Sequence, residues 1–524
     1  MAFTLVATSS GLSAIAADGT TTSLTLPGGV SAVNAVLRGA VLNRFALLAN
    51  AFSQPVWVDE EMTVYPVQLA GPSVAPTLAT GAGTGYTGTR RSKVQFLIKS
   101  AAGAILGASE LSPASNAVTC ANQNITYTVL ATSPNAAVNC RRIYSTATNG
   151  TSYFWDFDLD DNTTTTVTKA TTDASLATDA VDPLDYVAAP SGIVNVVGHK
   201  GRAWAVSSID PDTIYGSQLD DVTSWPVSIP TYPLGAEKSG VTGFGPRRDD
   251  LVFFKRASIQ KIVGDSPDNF RITQIAQGQG CVAPDSVIVT RDYTRWLDTD
   301  GVWELGPDDI PRSLSDEKVR PWFTSDTYFN RSMFPFAFGA YDPRKHSYDL
   351  FLCATGTTTI NRVVSYDILS GRWFGPHVIA TFTPAGRCLA SDTTGTPRLL
   401  LGGTNGIVYA TTAGNYTDGT SDAIDFDCYT KFHTGGNPDL THLFLQPTVL
   451  TKKESGGTLT VTPYVGALDA SAGTAQSHDL TKERERLARF GVGRLCQIRF
   501  RQNTAAQGVE LYGYELPYLT LGRR

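Results

Sequence analysis

Three aspartates, Asp156, Asp158 and Asp160, occupy every second position of one short segment, with apolar residues between them. In a β-strand this spacing places the three carboxylates on one face and the apolar groups on the other. Carboxylates held together in this way can bind calcium or act as a general acid and a general base. We favour a charged, solvated face of a strand, because no neighbouring loop supplies further ligands.

A second acidic motif runs from Asp298 to Trp303, with the sequence DTDGVW. It resembles the Asp-box turns of sialidase-like propellers, but it lacks their Ser-x-Asp-x-Gly-x-Thr-Trp order and does not recur. An Asp-Gly pair suits a tight hairpin, so we interpret the motif as a turn. The histidines form no HExxH spacing, and GxSxG and GxxxxGK[ST] motifs are absent. The sequence therefore predicts a protein that is not an enzyme and uses no cofactor or metal.

The strongest concentration of positive charge lies near the C-terminal end of the sequence and is interrupted by glutamates. Arginines in such a segment can contact a neighbouring subunit or the phosphates of DNA in a channel; a solvated face with internal ion pairs is the alternative. Strand alternation places Arg499 and Arg501 on one face, which suits a subunit interface. The predicted contacts are Arg484, Arg486, Arg489, Arg494, Arg499 and Arg501.

Composition places the chain among folded, β-rich proteins. Its 524 residues are 42% hydrophobic and only 17% charged, so the chain can bury large cores. Glycine and proline are frequent, at 48 and 28 residues, as in chains with many turns. The net charge of −6 gives no sign of an overall basic protein. Scattered cysteines without a CxxC pair indicate free thiols, with a Cys120–Cys140 disulfide as the alternative.

Neither a targeting segment nor a membrane helix is expected. No Lys or Arg precedes Arg38, so the positive region of a secretory signal is missing. No window approaches the ~18 consecutive apolar residues of a membrane helix. Helical periodicity is confined to two short segments, Thr481–Phe490 and Ser315–Pro321. The remainder is typical of short strands bounded by turn residues.

The first half of the sequence divides into two zones. Residues 1–89 form an N-terminal segment, in which Arg44 to Val67 has a hairpin pattern. The stretch from Gly71 to Gly88 is rich in Gly, Ala and Thr and is predicted to be a linker. Residues 90–178 carry about seven short strands with regular turns, the pattern of an immunoglobulin-like or fibronectin type III-like β-sandwich.

The second half is predicted to contain a β-propeller and a further domain. Residues 179–415 repeat strand-and-turn units at a spacing of roughly 35–50 residues, the range expected for propeller blades. Five units are visible, and the hairpin from Arg44 to Val67 supplies a candidate sixth that closes the ring. Aromatic residues after the turns are expected to pack between blades. Residues 416–524 are predicted to form a β-rich platform.

Several strings of the sequence resemble phage tail proteins. SPASNAV, RRIYST and YFWDFDLDDNTTTTVT together resemble the fibronectin type III-like module inserted in many of them. GFGPRRDDLVFFKRASIQKIVGDSPDNFRI and DTDGVWELGPDDIPRSLSDEKVRPWF resemble the tail hub and nozzle proteins of podovirus-type phages. RFGVGRLCQIRFRQ, followed by VELYGYELPY, resembles the closing strands of the P22-like tail hub. The resemblance implies a propeller body with inserted sandwich modules.

The same resemblance implies a structural virion protein. Subunits would form a homohexameric ring below the portal and adaptor, extend the DNA channel, and dock fibres or spikes. The ring would retain the genome and then pass it, after assembly in the host cytoplasm. One alternative is a carbohydrate-binding or carbohydrate-active propeller, such as a receptor-binding tail protein, in which tryptophans stack on sugars, although packing between blades explains these residues as well. Another is a neck or baseplate protein of a long-tailed phage. The tryptophans in question are Trp204, Trp296, Trp303 and Trp373.

Overall fold

The structure of the protein is a computed structural model. It describes residues 3–33, 35–42, 45–229, 237–291, 293–315, 319–379, 382–410, 417–418, 422–423, 426–467, 470–504 and 507–522. Strands make up 51% of the chain and helices 4%, which confirms the prediction of a mainly β protein. The chain forms two compact units, of which the first comprises residues 1–379 and 383–408 and the second residues 380–382 and 409–524.

Within the described residues, the first unit contains seven small antiparallel sheets, in each of which a strand pairs with the next along the chain. We call these sheets blades 1 to 7. Blades 1 and 2 consist of β1 (Phe3–Thr8), β2 (Gly11–Ala16) and β3 (Thr21–Leu24), and of β4 (Arg38–Leu42), β5 (Phe45–Ala49), β6 (Val56–Val58) and β7 (Val64–Pro66). Blade 2 contains the predicted hairpin, of which Arg44 lies outside the described residues.

Two facing sheets, which we call the insert, lie between blades 2 and 3 along the chain. Its strands are β8 (Thr77–Arg90), β9 (Ser92–Lys99), β10 (Ile105–Leu111), β11 (Val118–Thr128), β12 (Cys140–Thr146), β13 (Tyr153–Leu159) and β14 (Val167–Lys169). The sheets β10-β9-β12-β13 and β14-β11-β8 share an apolar core that includes Val94, Ile125 and Ile143.

The predicted linker from Gly71 to Gly88 is wrong, because most of it belongs to β8 and pairs with β11. Its small residues serve close packing instead of flexibility: a Cβ on Gly81 would lie 2.5 Å from Oγ1 of Thr126. The insert is also fixed to the ring, because Phe96 of β9 packs in the same apolar cluster as Trp57 of blade 2.

Blades 3 to 7 follow the insert. Their strands are β15 (Ile193–His199), β16 (Arg202–Ser207) and β17 (Ile214–Gly216); β18 (Gly243–Pro246), β19 (Asp250–Phe254), β20 (Ser258–Val263) and β21 (Arg271–Gln277); β22 (Ile288–Thr290), β23 (Tyr293–Asp298), β24 (Gly301–Leu305) and β25 (Pro311–Ser313); β26 (Phe338–Asp342), β27 (Ser347–Cys353), β28 (Ile360–Asp367) and β29 (Arg372–Val378); and β30 (Pro384–Ser391), β31 (Pro397–Gly403) and β32 (Val408–Ala410). Tight turns join them, as between β15 and β16, where Lys200 and Gly201 have φ angles of 49° and 71°. The predicted turn at Asp298–Gly301 joins β23 and β24.

The blades form a closed ring. The first strands of successive blades lie side by side, from β4 through β15, β18, β22 and β26 to β30. Strand β1 contacts β30, and blade 1 shares an apolar cluster with blade 2 through Leu12 and Leu48. The ring therefore closes through blade 1, which the sequence did not reveal, and the five repeated units and the hairpin supply the other six blades.

The second unit is a packed β structure of its own. Its described strands are β33 (Thr417–Asp418), β34 (Asp422–Ala423), β35 (Phe426–Tyr429), β36 (Thr441–Phe444), β37 (Thr448–Thr451), β38 (Thr458–Gly466), β39 (Ser471–Ala472), β40 (Gln476–Asp479), β41 (Arg484–Arg486), β42 (Gly491–Gly493), β43 (Leu495–Gln502), β44 (Leu511–Glu515) and β45 (Tyr518–Gly522). The sheet around β43 and β38 and the sheets β42-β36-β45 and β41-β37-β44 share a core that includes Val449, Leu459 and Phe500.

The predicted helix from Thr481 to Phe490 is wrong. The segment contains β41, which pairs with β37, and Leu487 is buried in the shared core. Its Lys, Glu and Arg residues favour a helix locally, but strand pairing and burial override that preference.

Helical structure is sparse. The short helix α1 spans Arg320–Thr324, so the helix predicted at Ser315–Pro321 is only partly matched, and residues 316–318 lie outside the described residues. The 3₁₀ turns span Asp173–Ser175, Pro183–Asp185, Pro284–Ser286 and Arg331–Phe336. Among the described residues, no helix has the length and apolar character to cross a membrane.

Candidate functional site

The interior of the ring contains an ion pair between Arg38 and Asp285, which we call the cross-ring pair. Arg38 begins β4 in blade 2, and Asp285 lies in the 3₁₀ turn before β22 in blade 5. The Arg38 guanidinium donates from Nε to Oδ1 of Asp285 at 2.9 Å and from Nη2 to Oδ2 at 2.8 Å. Its Nη1 donates to the carbonyl of Val194 in blade 3 at 2.9 Å. Blades 2 and 5 are not neighbours in the ring, so the pair connects elements across it.

The cross-ring pair is mostly shielded from solvent, with side chains 19% and 17% exposed. Burial alone lowers the pKa of Arg38, but the hydrogen bonds and charge of Asp285 outweigh this effect and raise it. Two parallel charge-assisted hydrogen bonds are a strong and geometrically specific contact. The pair therefore neutralises two charges inside the ring and connects three of its blades.

A cleft of about 570 Å³ opens at the seam where blades 1 and 7 meet, and we call it the seam cleft. Oγ1 of Thr4 and Sγ of Cys388 lie 3.9 Å apart across this seam. Most of the residues that line the cleft are small or apolar. They are Thr4, Leu5, Val6, Ala7, Thr8, Ser9, Ser10, Val33, Ala35, Val36, Leu37, Ala385, Gly386, Arg387, Cys388, Leu400, Gly402, Gly403, Thr404, Asn405, Gly406, Ile407 and Val408.

Arg387 is the charged residue of this lining. No described residue accepts a hydrogen bond from its guanidinium. Burial lowers the pKa of Arg387, and the charge of Asp285, which is already bound to Arg38, offsets only part of this effect. A half-buried cation without its own counter-ion attracts an anion. The seam cleft is therefore suited to binding a negatively charged group.

The described lining lacks the usual proton-transfer groups of an active site. It contains no carboxylate and no histidine that could transfer protons. Burial raises the pKa of the Cys388 thiol, so the thiol stays protonated and weakly nucleophilic near neutral pH. Sequence reasoning missed Arg38, Asp285 and Arg387, because the contacts that define them join distant segments; Arg38 and Asp285 are 247 positions apart.

The six arginines predicted as subunit or DNA contacts are spread over more than one sheet of the second unit. On β43 the residues alternate between the core and the outside, and Arg499 and Arg501 both point outward, as predicted. Arg484 and Arg486 flank Glu485 on β41, in a sheet that packs on the other side of the same core. The two arginine pairs therefore belong to different sheets of the second unit.

The surroundings of these arginines also differ. The Arg484 guanidinium lies 3.1 Å from Glu515 at a highly exposed position. Arg499 donates from Nε to Oδ1 of Asp427 at 2.8 Å. Arg486 and Arg489 are exposed, and Arg494 precedes β43 at a half-buried position. A role in subunit or DNA contact stays a prediction.

The three aspartates of β13 do not share one face. A β-bulge interrupts the pairing of β12 with β13 at Asp156, so the regular alternation of side chains breaks there. The Asp156 side chain is 1% exposed and lies 3.6 Å from the buried Arg90. Asp158 and Asp160 point to the other side, where Nζ of Lys99 donates to both, at 2.8 and 2.9 Å. The prediction of a solvated carboxylate face is therefore wrong for Asp156 and for Asp158, which is 13% exposed, and holds for Asp160, which is 77% exposed.

The surroundings of Asp158 and Asp160 argue against a calcium site in the insert. Asp158, Asp160 and the thiol of Cys140 bring potential ligand atoms within 4.8 Å of one another. The ammonium group of Lys99 binds both carboxylates and supplies the positive charge that a cation would bring. Cys140 and Cys120 are free thiols, as predicted, and form no disulfide.

The insert is expected to lose stability in acid through Asp158. Burial alone raises the pKa of Asp158, but Arg142 and Lys99 lower it to about 2. Because this folded-state pKa lies below the unfolded value, the stabilisation is complete above about pH 4 and is lost as the pH falls towards 2. Asp158→Asn should cost roughly 2 kcal/mol at pH 7. The difference from the wild type, measured by urea denaturation, should shrink from pH 5 to pH 3, and Asp268→Asn at an exposed position is the control. A difference that stays constant over this range would contradict the assignment.

The tryptophans named for sugar stacking are packed against other parts of the ring. Trp204 and Trp296 are 1% and 0% exposed. The Trp296 ring lies 4.8 Å from that of Phe254 in the neighbouring blade, and Trp204 lies 5.2 Å from Phe270. Trp303 and Trp373 are half-buried and border the apolar clusters of blades 4 to 6. The prediction that these aromatic side chains pack between blades is confirmed for Trp204 and Trp296.

Comparisons with known proteins assign no family. No protein-family model matches the sequence, and no curated protein matches it. Among solved structures, an exo-β-1,3-galactanase from Phanerochaete chrysosporium has 8% identity, with 81% of this chain and 100% of that chain covered, at a TM-score of 0.21. The N-terminal domain of Nup159 has 9% identity, covers 65% of this chain and 97% of its own, and has a TM-score of 0.26. The extracellular domain of BT4673 from B. thetaiotaomicron has 10% identity, 98% and 79% coverage and a TM-score of 0.29. Similarities at this level carry no conclusion about function.

Proposed function

We propose that the chain is a structural subunit of a phage tail, at the hub or nozzle, that assembles into a ring. This ring of subunits, which is distinct from the ring of blades within each chain, extends the DNA channel below the portal and adaptor and docks fibres or spikes. The proposal rests on the body described above: a closed ring of blades whose insert shares an apolar core with blade 2 through Phe96 and Trp57. The sequence strings that resemble tail hubs imply the same body, with the insert as a fibronectin type III-like module.

The interior of the ring of blades favours a structural function over an enzymatic one. The cross-ring pair satisfies both of its charges, and the described lining of the seam cleft supplies one cation and no proton-transfer groups. Trp204 and Trp296 are buried, which weakens the carbohydrate-binding alternative. A mechanical function instead requires firmly packed sheets, and neighbouring blades share buried apolar clusters.

An exposed apolar row on the second unit supports assembly with other copies. In the sheet β42-β36-β45, Leu443 pairs with Val492 on one side and with Leu519 on the other, so the three side chains share one face. Val492, Leu519 and Leu521 are 55%, 53% and 57% exposed. A contiguous apolar row across three strands marks a surface for a protein partner. Under the proposal, a neighbouring subunit covers it.

Mass photometry and electron microscopy of the purified full-length chain test the proposal. We expect particles of six copies with a central channel. Leu519→Lys places a charge in the apolar row and should reduce the fraction of assembled particles about tenfold, a cost of about 1.4 kcal/mol. Ile310→Lys, at a position that is 55% exposed in blade 5, is the matched control and should assemble normally.

Two results would contradict different parts of the proposal. If the chain stays monomeric at all concentrations, also when mixed with a portal-adaptor protein, the proposed ring of subunits is wrong. If Leu519→Lys assembles like the wild type, the ring of subunits is still supported, but the apolar row is not part of its interface. In the ring, Arg486 and Arg489 stay candidates for contact with a neighbouring subunit or with DNA.

A further inference from the structure

The seam cleft runs along β1 and β30. It borders every residue from Thr4 to Ser10 and every residue from Ala385 to Cys388. Side chains of a strand alternate between its two faces, so a lining of consecutive residues means that the cleft also reaches the main chains of β1 and β30. Among the described strands, β1 pairs only with β2 and β30 only with β31, so each presents an unpaired edge.

The cleft also contains open space beside this edge. A Cβ added to Gly386 or Gly402 would meet nothing within 4 Å, and neither glycine has a positive φ. Arg387 follows Gly386 directly on β30 and has no hydrogen-bond acceptor among the described residues. One end of the cleft thus combines free main-chain groups, room for a side chain and an uncompensated cation.

We propose that the seam cleft binds an extended peptide segment of a partner protein, with an acidic side chain of the peptide at Arg387. The peptide main chain pairs with the free edge of β1, in the manner of strand addition. The carboxylate accepts the charge-assisted hydrogen bonds for which Arg387 has no acceptor among the described residues. The apolar residues of the lining, such as Leu37 and Ile407, contact the side chains of the peptide on either side of the acid.

An extended peptide explains the lining better than a small anion or a nucleic acid. The six residues of β1 span roughly 20 Å, the length of a bound strand and far more than a single carboxylate needs. Nucleic acid is held by rows of Lys and Arg along its phosphates, whereas this lining contains a single arginine between apolar walls. The inference does not depend on the tail function, because binding is a property of the single chain.

Fluorescence anisotropy with the full-length protein tests the proposal. The probe is a capped, fluorescein-labelled peptide, Thr-Val-Thr-Glu-Thr-Val-Thr, and a second peptide carries Gln in place of Glu. We expect the Glu peptide to bind about tenfold or more tightly than the Gln peptide, because hydrogen bonds to a charged group are the stronger ones. Arg387→Gln should abolish this preference, and Gly386→Leu should block both peptides by filling the cleft.

Matched controls separate binding from folding. Arg271→Gln replaces an exposed arginine of blade 4, and Gly513→Leu replaces a strand glycine that also has no atom within 4 Å of an added Cβ. Both should bind the Glu peptide like the wild type. Two further peptides, N-methylated on odd or on even residues, report main-chain pairing, since only alternate N–H groups face the edge strand. One of them should lose binding and the other should keep it.

Several outcomes would overturn the proposal. They are no binding of the Glu peptide at about 1 mM, equal binding of the Glu and Gln peptides, and binding that persists in Gly386→Leu. If both N-methylated peptides bind like the parent peptide, pairing with β1 is wrong. Thermal melting of each variant shows whether its ring is folded, so a loss of binding in a folded Arg387→Gln protein is attributed to the cleft. None of these results depends on the assembly of six copies.

Discussion

Trp296→Ala is expected to lower the free energy of unfolding of the ring by about 4 kcal/mol. The side chain is completely buried and contacts the Phe254 ring of the neighbouring blade. Its Nε1 donates to the carbonyl of Gly280 at 2.7 Å. Alanine therefore leaves a cavity between two blades and an unpaired carbonyl. Urea denaturation followed by circular dichroism measures the loss.

Trp155→Ala is the matched control for this substitution. Trp155 is 44% exposed on the insert, so its replacement should cost at most about 1 kcal/mol. An unchanged denaturation midpoint for Trp296→Ala would contradict the assignment of Trp296 to blade packing. Loss of binding to a glycan array at unchanged stability would instead favour the carbohydrate alternative. The substitution thus separates two functions that the sequence left open.

Breaking the cross-ring pair has the second largest expected effect. Arg38→Met removes the hydrogen-bonded partner of the Asp285 carboxylate inside the ring of blades. Asp285→Leu likewise removes the hydrogen-bonded partner of the Arg38 guanidinium. Each is expected to cost about 3 kcal/mol, because the price of an uncompensated charge exceeds the net value of the pair. The side chains are 19% and 17% exposed, so partial solvation keeps the cost at the low end of the range for buried pairs.

The double variant shows whether the two residues act as a pair. Arg38→Met with Asp285→Leu removes both charges, so its loss should be smaller than the sum of the single losses by at least about 1 kcal/mol. The pair of Arg484 and Glu515 is the control, since its side chains are 64% and 60% exposed. Its double-mutant cycle should give less than about 1 kcal/mol. Additive losses at Arg38 and Asp285 would mean that the pair does not connect blades 2 and 5.

The cross-ring pair has a further consequence for the tail proposal. Because the side chains of Arg38 and Asp285 bridge the interior of each ring of blades, we do not expect DNA to pass through that interior. A channel in the assembly would have to lie between subunits. The exposed apolar row on the second unit, and not the ring interior, is therefore the surface at which substitutions should alter assembly.

Local sequence determined much of the β architecture. Turn residues such as Lys200 and Gly201 accept the positive φ angles of a two-residue hairpin, and these angles depend only on neighbouring atoms. Alternation along β43 predicted that Arg499 and Arg501 share a face, since the period of a strand is local as well. Free thiols and the packing of aromatic residues between blades were likewise predicted, with a Cys120–Cys140 disulfide and sugar stacking as the alternatives, and the structure decides for the predictions at Cys120, Cys140, Trp204 and Trp296.

Sequence reasoning failed where a distant segment decides the outcome. The stretch from Gly71 to Gly88 has the composition of a linker, but pairing with β11 makes it a strand. The segment from Thr481 to Phe490 has the residues of a helix, but pairing with β37 makes part of it β41. The bulge at Asp156 depends on the register against β12, which the sequence of β13 does not contain.

By itself, the sequence determined most of the strands, their turns and the side-chain alternation of regular strands such as β43, because these follow from backbone sterics and the contacts of near neighbours. The tertiary structure alone decided that Phe3–Leu24 closes the ring, that Arg38 reaches Asp285, and that Arg387 finds no hydrogen-bond acceptor among the described residues. The physical reason is the large sequence separation of the contacting residues. Whether a charge finds a counter-ion, or a strand edge finds a pairing strand, depends on residues far apart in the sequence, and no local pattern contains that information.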